Sequence, residues 1–443
     1  MSSDPREIIN QSEMSILQLL VIAIMIGLNS LDGFDILSIS FASPGIAREW
    51  GVDRAALGIV LSMELIGMGL GSFFLGSLAD KIGRRPTVLY CLTAMALGMF
   101  MVTTTGSIFT LSFWRIITGL GIGGLLTAIT ALTAEYSNLS RRHLCISLMA
   151  IGYPLGGVVG GLIASRLLAN YDWRSVFYLG TSITSFFIPL VFFLVPESVH
   201  YLARDRKAGA LEKINKTLNK CKHSSIAELL QITDKERQKS VGYIFSPRML
   251  KTTMIIAITY FLHITTYYLI LKWVPKIVTD MGFSASSGGR ALVWANVGGV
   301  LGGAIFGLLT LKFNLKKLAV AVLFFSAVSV AIFGQIPTDL KIISLLGMLA
   351  GFFGNSGVNA LYSIAAHTYP THARAFGTGF MLAIGRGGAI LSPILVGFLL
   401  QRQVSLPSVG MIMGIGSLVG AGLLLFLKLQ SGDSQDASAA EES

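Results

Sequence analysis

The sequence is short of charged residues and of cysteine. Of its 443 residues, 13% are Asp, Glu, Lys or Arg, against about 25% in a typical soluble domain. Three cysteines without motif spacing, Cys91, Cys145 and Cys221, predict free thiols and argue against a disulfide scaffold or a metal framework. Because 53% of the residues are hydrophobic, these shortages also argue against a soluble enzyme and a disordered chain.

Acidic residues are the scarcer of the two charge types, and 23 acids against 34 bases give a net charge of +11. If the chain crosses a membrane twelve times with both ends inside, most of the bases fall in every second loop. This asymmetry predicts cytoplasmic termini and argues against nucleic acid as a partner. The base-rich loops are those around Lys81–Arg85, Arg141–Arg142, Arg204–Lys251 and Lys312–Lys317.

Long apolar runs are abundant, and each is long enough to cross a bilayer as a helix, which takes about 20 residues. Because lipid offers no partners to backbone polar groups, helices are the expected structure. The sequence therefore predicts an all-α membrane protein with the lipid bilayer around it. The twelve predicted spans are 16–42, 56–79, 87–105, 109–134, 144–169, 174–195, 252–279, 288–311, 316–335, 342–366, 375–400 and 406–428.

The two halves of the chain resemble each other. Gly76-Ser-Leu precedes Gly307-Leu-Leu by 231 positions, and Ile151-Gly152 precedes Ile384-Gly385 by 233. A nearly constant shift predicts two pseudo-symmetric six-helix bundles with a substrate site at the repeat interface, as in many transporters. The predicted domains are an N-terminal bundle at 1–195, a cytoplasmic linker at 196–251, a C-terminal bundle at 252–430 and a disordered tail at 431–443.

One motif, in the predicted loop between the second and third spans, is distinctive enough to be compared with known motifs. The stretch Gly76-Ser-Leu-Ala-Asp80-Lys-Ile-Gly83-Arg84-Arg85 predicts a tight turn, two basic anchors and an acid that caps a helix or pairs with an arginine. It resembles the loop motif of the major facilitator superfamily, and that resemblance implies the major facilitator fold. It also implies a gating role for five residues of the motif and for two arginines in equivalent loops, for which positive-inside orientation is the alternative. The predicted gating residues are Gly76, Asp80, Gly83, Arg84, Arg85, Arg141 and Arg374.

The first span contains two carboxylates, Asp32 and Asp35, that are three residues apart and share a helix face. An ionised acid in hydrocarbon costs several kcal/mol, so each should face a cavity, a partner or a proton, or else a water-exposed helix end. Together with Pro44 and Trp50, this stretch is similar to the first-helix signature of the aromatic acid/proton symporter family. That resemblance makes Asp32 and Asp35 candidates for proton coupling.

Three more charged residues lie inside predicted spans. Arg115 is expected at the depth of Asp32 and needs an anion, either that acid in a structural ion pair or a substrate carboxylate. Arg386, in Gly385-Arg-Gly-Gly388, also resembles the family pattern and is the second candidate for holding the carboxylate. Glu64 is a candidate proton carrier, a partner for a buried arginine, or a neutral acid hydrogen-bonded between helices.

Aromatic and amide side chains in the second half are further candidates. The superfamily resemblance implies that the first, fourth, seventh and tenth helices line the cavity. His263 and Tyr267 in the seventh span and Asn359 in the tenth are therefore expected to contact a substrate ring or hydroxyl, with ordinary packing as the alternative. Trp294, in the eighth span, is a further aromatic candidate for the same contact. His263 either titrates or serves as a satisfied hydrogen-bond donor between helices.

The resemblance implies a transporter and not an enzyme: proton-coupled uptake of a small aromatic carboxylate, such as a hydroxybenzoate, by alternating access. The proton is the only coupling agent expected, with no metal or other cofactor, and the chain is expected to act as a monomer in a bacterial inner membrane. The alternatives are the same fold carrying a dicarboxylate, a quinate-like acid or an exported drug. A membrane enzyme or a sensor is disfavoured, because no acid, base or metal constellation stands out and the linker is short.

Overall fold

A computed structural model describes residues 4–205, 209–226, 243–335 and 339–427, and within these ranges the chain forms fifteen helices and no strand. The predicted tail, and residues 206–208 and 227–242 of the predicted linker, lie outside the described part. The helices are α1 Pro5–Gln11, α2 Ile16–Trp50, α3 Arg54–Ile82, α4 Arg84–Thr103, α5 Ile108–Tyr136, α6 Arg142–Asn170, α7 Arg174–Leu194, α8 Val199–Asp205, α9 Ala210–Lys220, α10 Pro247–Asp280, α11 Ala285–Leu309, α12 Leu315–Phe333, α13 Leu340–Thr368, α14 Thr371–Gln401 and α15 Leu406–Leu425.

Twelve of the described helices, α2–α7 and α10–α15, are long and apolar enough to cross a membrane. The predicted all-α, twelve-span architecture is thereby confirmed. Within the described part of the predicted linker, α9 spans Ala210–Lys220.

Helix α2 is longer than its predicted span, which was expected to end at residue 42. It runs through Pro44 to Trp50. A proline inside a helix cannot donate to the carbonyl four residues earlier, here that of Ser40. The hydroxyl of Ser43 donates to this carbonyl instead, at 2.9 Å. The helix therefore continues past a residue that normally ends one.

The described residues form two compact units. Each unit contains six of the twelve candidate membrane spans, wholly or for most of their length. One comprises the described residues of 1–39, 63–167 and 171–233, and the other those of 40–62, 168–170 and 234–443. The outer turns of α2 and the first turns of α3 thus group with the second unit. The domain limits predicted at residues 195 and 251 stay predictions.

In the first unit, α3 and α5 pack main chain against main chain. A Cβ built on Gly67 would lie 2.3 Å from the Ile116 carbonyl oxygen, and one on Gly119 would lie 2.1 Å from that of Glu64. In the second unit, a Cβ on Gly298 of α11 would lie 1.9 Å from the Met348 carbonyl oxygen of α13. Gly298 follows Gly67 by 231 positions, so the internal repeat places the same kind of contact in both units.

Three short helices outside the spans pack together within the first unit. Ile9 of α1, Leu202 of α8, and Ile214 and Leu218 of α9 share a small apolar core. The main-chain N–H of Leu139, in the connection between α5 and α6, donates to the Asn10 carbonyl at 3.0 Å. These contacts fix α1, α8 and α9 at the predicted cytoplasmic ends of the spans.

Candidate functional site

The close approach of α3 and α5 brings together two charged residues that the sequence could not pair. Arg115 forms an ion pair with Glu64, and both side chains are 0% exposed. The guanidinium also lies over the ring of Phe177 on α7, with its carbon 5.5 Å from the ring centre. Asp32 and a substrate carboxylate were the anions predicted for Arg115, and the structure pairs it instead with Glu64. Of the three roles that were open for Glu64, the structure supplies that of a partner for a buried arginine.

Asp35 lies beside this pair. Arg115 Nη2 donates to the main-chain carbonyl of Asp35 at 3.2 Å. The fully buried Asp35 carboxyl accepts no hydrogen bond from the described residues, yet it interacts electrostatically with both Glu64 and Arg115. A Cβ on Gly180 of α7 would lie 3.2 Å from its Oδ1. The first unit therefore holds two acids and one arginine in a buried cluster.

Asp32 is also fully buried, one turn before Asp35 on α2. It lies near Cys91 of α4 and interacts with it electrostatically. The alternative of a water-exposed helix end fits neither acid, because both have an exposure of 0%.

In the second unit, Arg386 lies beside two tyrosines. The hydroxyls of Tyr260 and Tyr362 share a hydrogen bond, and Arg386 interacts electrostatically with both residues. The two rings meet edge to face with centres 6.1 Å apart. A Cβ on Gly385 would lie 2.1 Å from Tyr260 Cδ1, so the Gly385-Arg386-Gly387 sequence lets α14 approach α10 closely. The half-buried arginine is thereby framed by aromatic rings.

His263 is a satisfied donor and acceptor between three helices. Its Nε2 lies 2.8 Å from the Gly354 carbonyl oxygen on α13, and its Nδ1 lies 2.8 Å from Ser417 Oγ on α15. A carbonyl can only accept, so Nε2 carries a proton, and Nδ1 is free to accept from the hydroxyl of Ser417. Tyr267 stacks on the imidazole with ring centres 6.4 Å apart. Of the two roles open for His263, the geometry matches the interhelical one.

The remaining predicted substrate contacts are dispersed. Asn359 Nδ2 donates to the Asn355 carbonyl of its own helix at 3.1 Å, and Asn355 donates to the Gly299 carbonyl of α11 at 2.8 Å. Trp294 of α11 is 48% exposed, as a membrane-facing side chain would be. These residues stay candidates, because no bound molecule tests them.

The Gly76–Arg85 motif was predicted as a loop, but in the structure it is helical except at Gly83, which joins α3 to α4. An acid from the start of the predicted linker holds this junction. The carboxylate of Glu197 accepts the main-chain N–H groups of Arg84 at 3.0 Å and Arg85 at 3.3 Å, and so caps the start of α4. Gly83 has φ +109°, in the region that favours glycine, and a Cβ there would lie 2.2 Å from Glu197 Oε2. Burial raises the pKa of the Glu197 carboxyl, against these N–H groups and the charge of Arg84.

Three other predicted gating residues, Arg84, Arg141 and Arg374, lie at or next to the starts of their helices. Arg84 Nε is 3.5 Å from Glu135 Oε1, Arg141 precedes α6, and Arg374 Nε donates to the Tyr369 carbonyl at 3.3 Å. A Cβ on Gly76 would be 3.4 Å from Thr127 Oγ1. The side chain of Asp80 lies outside the described part of the structure.

Two further residues have roles in the structure that were not predicted from the sequence. Lys272 is fully buried in α10, and a lysine two turns before the end of an apolar span was the available signal. Glu197 follows Pro196 in a polar stretch, and nothing local in the sequence marks it as the cap of a helix that begins 113 residues earlier.

Comparison with known proteins fits this arrangement. The family profile of the Major Facilitator Superfamily matches residues 23–305 and 256–442. The 4-hydroxybenzoate transporter PcaK of Pseudomonas putida is 31% identical over 398 residues, which cover 88% of each chain. The gallate transporter of Pseudomonas putida is 26% identical over 427 residues, which cover 95% of this chain and 94% of that protein.

Among solved structures, the crystal structure of a D-xylose–proton symporter matches with a TM-score of 0.71 at 16% identity, and the match covers 94% of this chain and 99% of that one. This likeness concerns the fold. The family profile and the aromatic acid transporters confirm the resemblance that the loop and first-span motifs indicated. The chain therefore belongs to the Major Facilitator Superfamily, as a multi-pass membrane transporter and not an enzyme.

Proposed function

We propose that the protein takes up a small aromatic carboxylate, of the hydroxybenzoate type, together with protons and by alternating access. The observation that carries this proposal is the position of Arg386 beside Tyr260 and Tyr362. A guanidinium binds a carboxylate through two parallel hydrogen bonds. Edge-to-face tyrosines offer a ring of the substrate both an apolar surface and a hydroxyl partner.

We assign the substrate carboxylate to Arg386 and not to Arg115. Arg115 is fully buried and already paired with Glu64, whereas Arg386 is half-buried beside aromatic rings. The relatives named for 4-hydroxybenzoate and gallate support an aromatic acid as cargo. Proton coupling is assigned to the acids of the first unit, with Asp32 and Asp35 as the candidates from the first-span motif.

The proposed setting is a bacterial inner membrane with both termini cytoplasmic and the chain acting as a monomer. No nucleotide, metal or other cofactor takes part in the proposed cycle, in which the proton gradient is the energy source.

The test is uptake of labelled 4-hydroxybenzoate into proteoliposomes under an imposed pH gradient. Wild-type protein should accumulate the label, and collapse of the gradient should abolish accumulation. Arg386→Gln should lower uptake about 100-fold or more, because a charged hydrogen bond to the carboxylate is lost. Arg402→Gln removes an exposed arginine outside the predicted binding and gating residues, and it serves as the matched control for a change of net charge.

Competition identifies the substrate class. Unlabelled benzoates should compete, and succinate and quinate should not. If only the aliphatic acids compete, the substrate is another organic anion and not an aromatic acid. Export of a hydrophobic cation would identify the protein as a drug exporter.

A further inference from the structure

The cluster of Asp35, Glu64 and Arg115 contains one more acid than its single base can neutralise. An arginine stays protonated in a protein, so its charge is fixed at +1. A buried charge without a counter-charge is strongly destabilising. One of the two carboxyls must therefore be ionised to match Arg115, and the other is neutral unless a second cation reaches it.

The contacts show which of the two acids is ionised and which is protonated. Glu64 forms the ion pair with Arg115, so its carboxylate is the ionised one. Both side-chain oxygens of Asp35 lack a hydrogen-bond donor among the described residues, although the residue is fully buried. Because a buried carboxylate without donors is costly and a protonated carboxyl much less so, Asp35 holds a proton in this arrangement.

Several N–H groups of Arg115 make no hydrogen bond to the described residues. Its Nε and Nη1 atoms donate to no described residue, and its Nη2 already reaches the main chain of Asp35. A guanidinium carries five N–H groups in a planar fork, so it can serve two carboxylates at once. When Asp35 loses its proton, the unused N–H groups of Arg115 are the nearest donors for the new carboxylate.

Two further titratable residues of the described part lie on helices of the same unit. They are Asp32 on α2 and Cys91 on α4, which interact with each other. From α7 the cluster is closed by Phe177 and Gly180, which are uncharged.

We propose that Glu64 is a positioning residue for proton coupling: its carboxylate, paired with Arg115, holds that arginine inside the membrane while Asp35 takes up and releases the proton. Asp35, and not Asp32, is then the acid that exchanges the proton. Glu64 touches neither the substrate nor the transferred proton, and acts through Arg115. This inference rests on the proposed proton-coupled transport. It identifies the residues that allow Asp35 to bind and release the proton reversibly.

The test is an infrared titration of the full-length protein in lipid vesicles, without substrate and without a pH gradient. The C=O stretching band of a protonated carboxyl is followed against pH. Wild-type protein should show a titrating band that Asp35→Asn removes and Asp32→Asn retains. Loss of that band in Asp32→Asn and its persistence in Asp35→Asn would overturn the assignment.

Variants of the pair should shift the midpoint of this titration in opposite directions. Glu64→Gln leaves Asp35 as the nearest acid to Arg115, so the midpoint should fall by about 1 to 3 pH units. Arg115→Gln leaves two acids without the cation, so the midpoint should rise by a similar amount. Glu64→Asp keeps the negative charge and should return the midpoint close to that of the wild type.

Controls separate this role from a structural one. Glu13→Gln, at an exposed position, should leave the midpoint unchanged. If Glu64→Gln does not fold, the double variant Glu64→Gln/Arg115→Gln removes both charges, and its midpoint should rise. An unchanged midpoint in the folded variants would overturn the role of Glu64. A normal titration in a protein that shows no proton-driven uptake would defeat the proposed function alone.

Discussion

The half-buried His200 and the fully buried His263 show how differently one residue type behaves in this chain. His263 has a hydrogen-bond partner on each ring nitrogen, within the span α10. His200 lies in α8, outside the spans, and its Nδ1 has no hydrogen-bond partner among the described residues. Burial first, and then the positive charges of Arg6 and Arg142, lower the pKa of His200 from 6.5 to about 4.

A pH dependence follows from His200. The folded state binds its proton less readily than the unfolded state, so stability is full above pH 6.5 and falls as the pH drops towards 4. Hydrogen exchange of the α1 and α8 amides, corrected for its intrinsic pH dependence, should be about tenfold faster at pH 5 than at pH 7. The lowered pKa of Asp4, caused by its hydrogen bond to Arg6, keeps that acid ionised in this range.

The variant His200→Gln is the control for this prediction, because it has no titrating ring. Its exchange should not differ between the two pH values. An equal acceleration in this variant and in the wild type would show that another group is responsible.

At the scale of the element, glycines decide which helices touch. Gly67 and Gly119 bring the main chains of α3 and α5 together and so place Glu64 against Arg115. Gly69, two positions from Gly67 on the same helix, faces open space, and a Cβ there would meet no atom within 4 Å. Only the first pair should resist substitution.

Gly119→Ala should destabilise the protein by about 1 to 3 kcal/mol, because the new methyl group meets the Glu64 carbonyl and the helices must separate. Gly69→Ala should be neutral or stabilising by up to about 1 kcal/mol, since alanine is the better helix former. Thermal unfolding in detergent, calibrated by denaturant titration, measures both. Equal losses in the two variants would mean that the α3–α5 contact is not the cause.

Hydropathy was sufficient to predict the spans, because each apolar run must cross the bilayer as a helix. It could not predict the end of α2, where the hydroxyl of Ser43 compensates for Pro44. It also missed α1, although Asp4 followed by Pro5 is a typical helix start. The pairing of Glu64 with Arg115 depends on which helices are neighbours, and a single sequence carries that information only indirectly, in the spacing of its glycines.

At the scale of the whole molecule, charge and thiols together permit a test of sidedness. The predicted cytoplasmic loops hold most of the bases. Cys91, Cys145 and Cys221 are all buried, so wild-type protein should not react with a membrane-impermeant maleimide. Single cysteines placed at exposed positions then report on one side each.

Arg402→Cys lies between α14 and α15 and should be labelled in intact cells, because that connection is predicted to be external. Lys220→Cys, at the end of α9, should be labelled only after permeabilisation. Both positions are exposed, so a difference reflects the membrane and not burial. Labelling in the reverse order would invert the predicted orientation.

The main-chain contact between α3 and α5 has a consequence for evolution. It fixes the Glu64–Arg115 distance through backbone atoms, independently of the tyrosines around Arg386 in the other unit. If Arg386 holds the substrate as proposed, substitutions around it on α10, α13 and α14 are expected to change substrate preference and to leave the ionic cluster in place. Paralogues that diverge in substrate are expected to vary around Arg386 while they inherit the cluster unchanged.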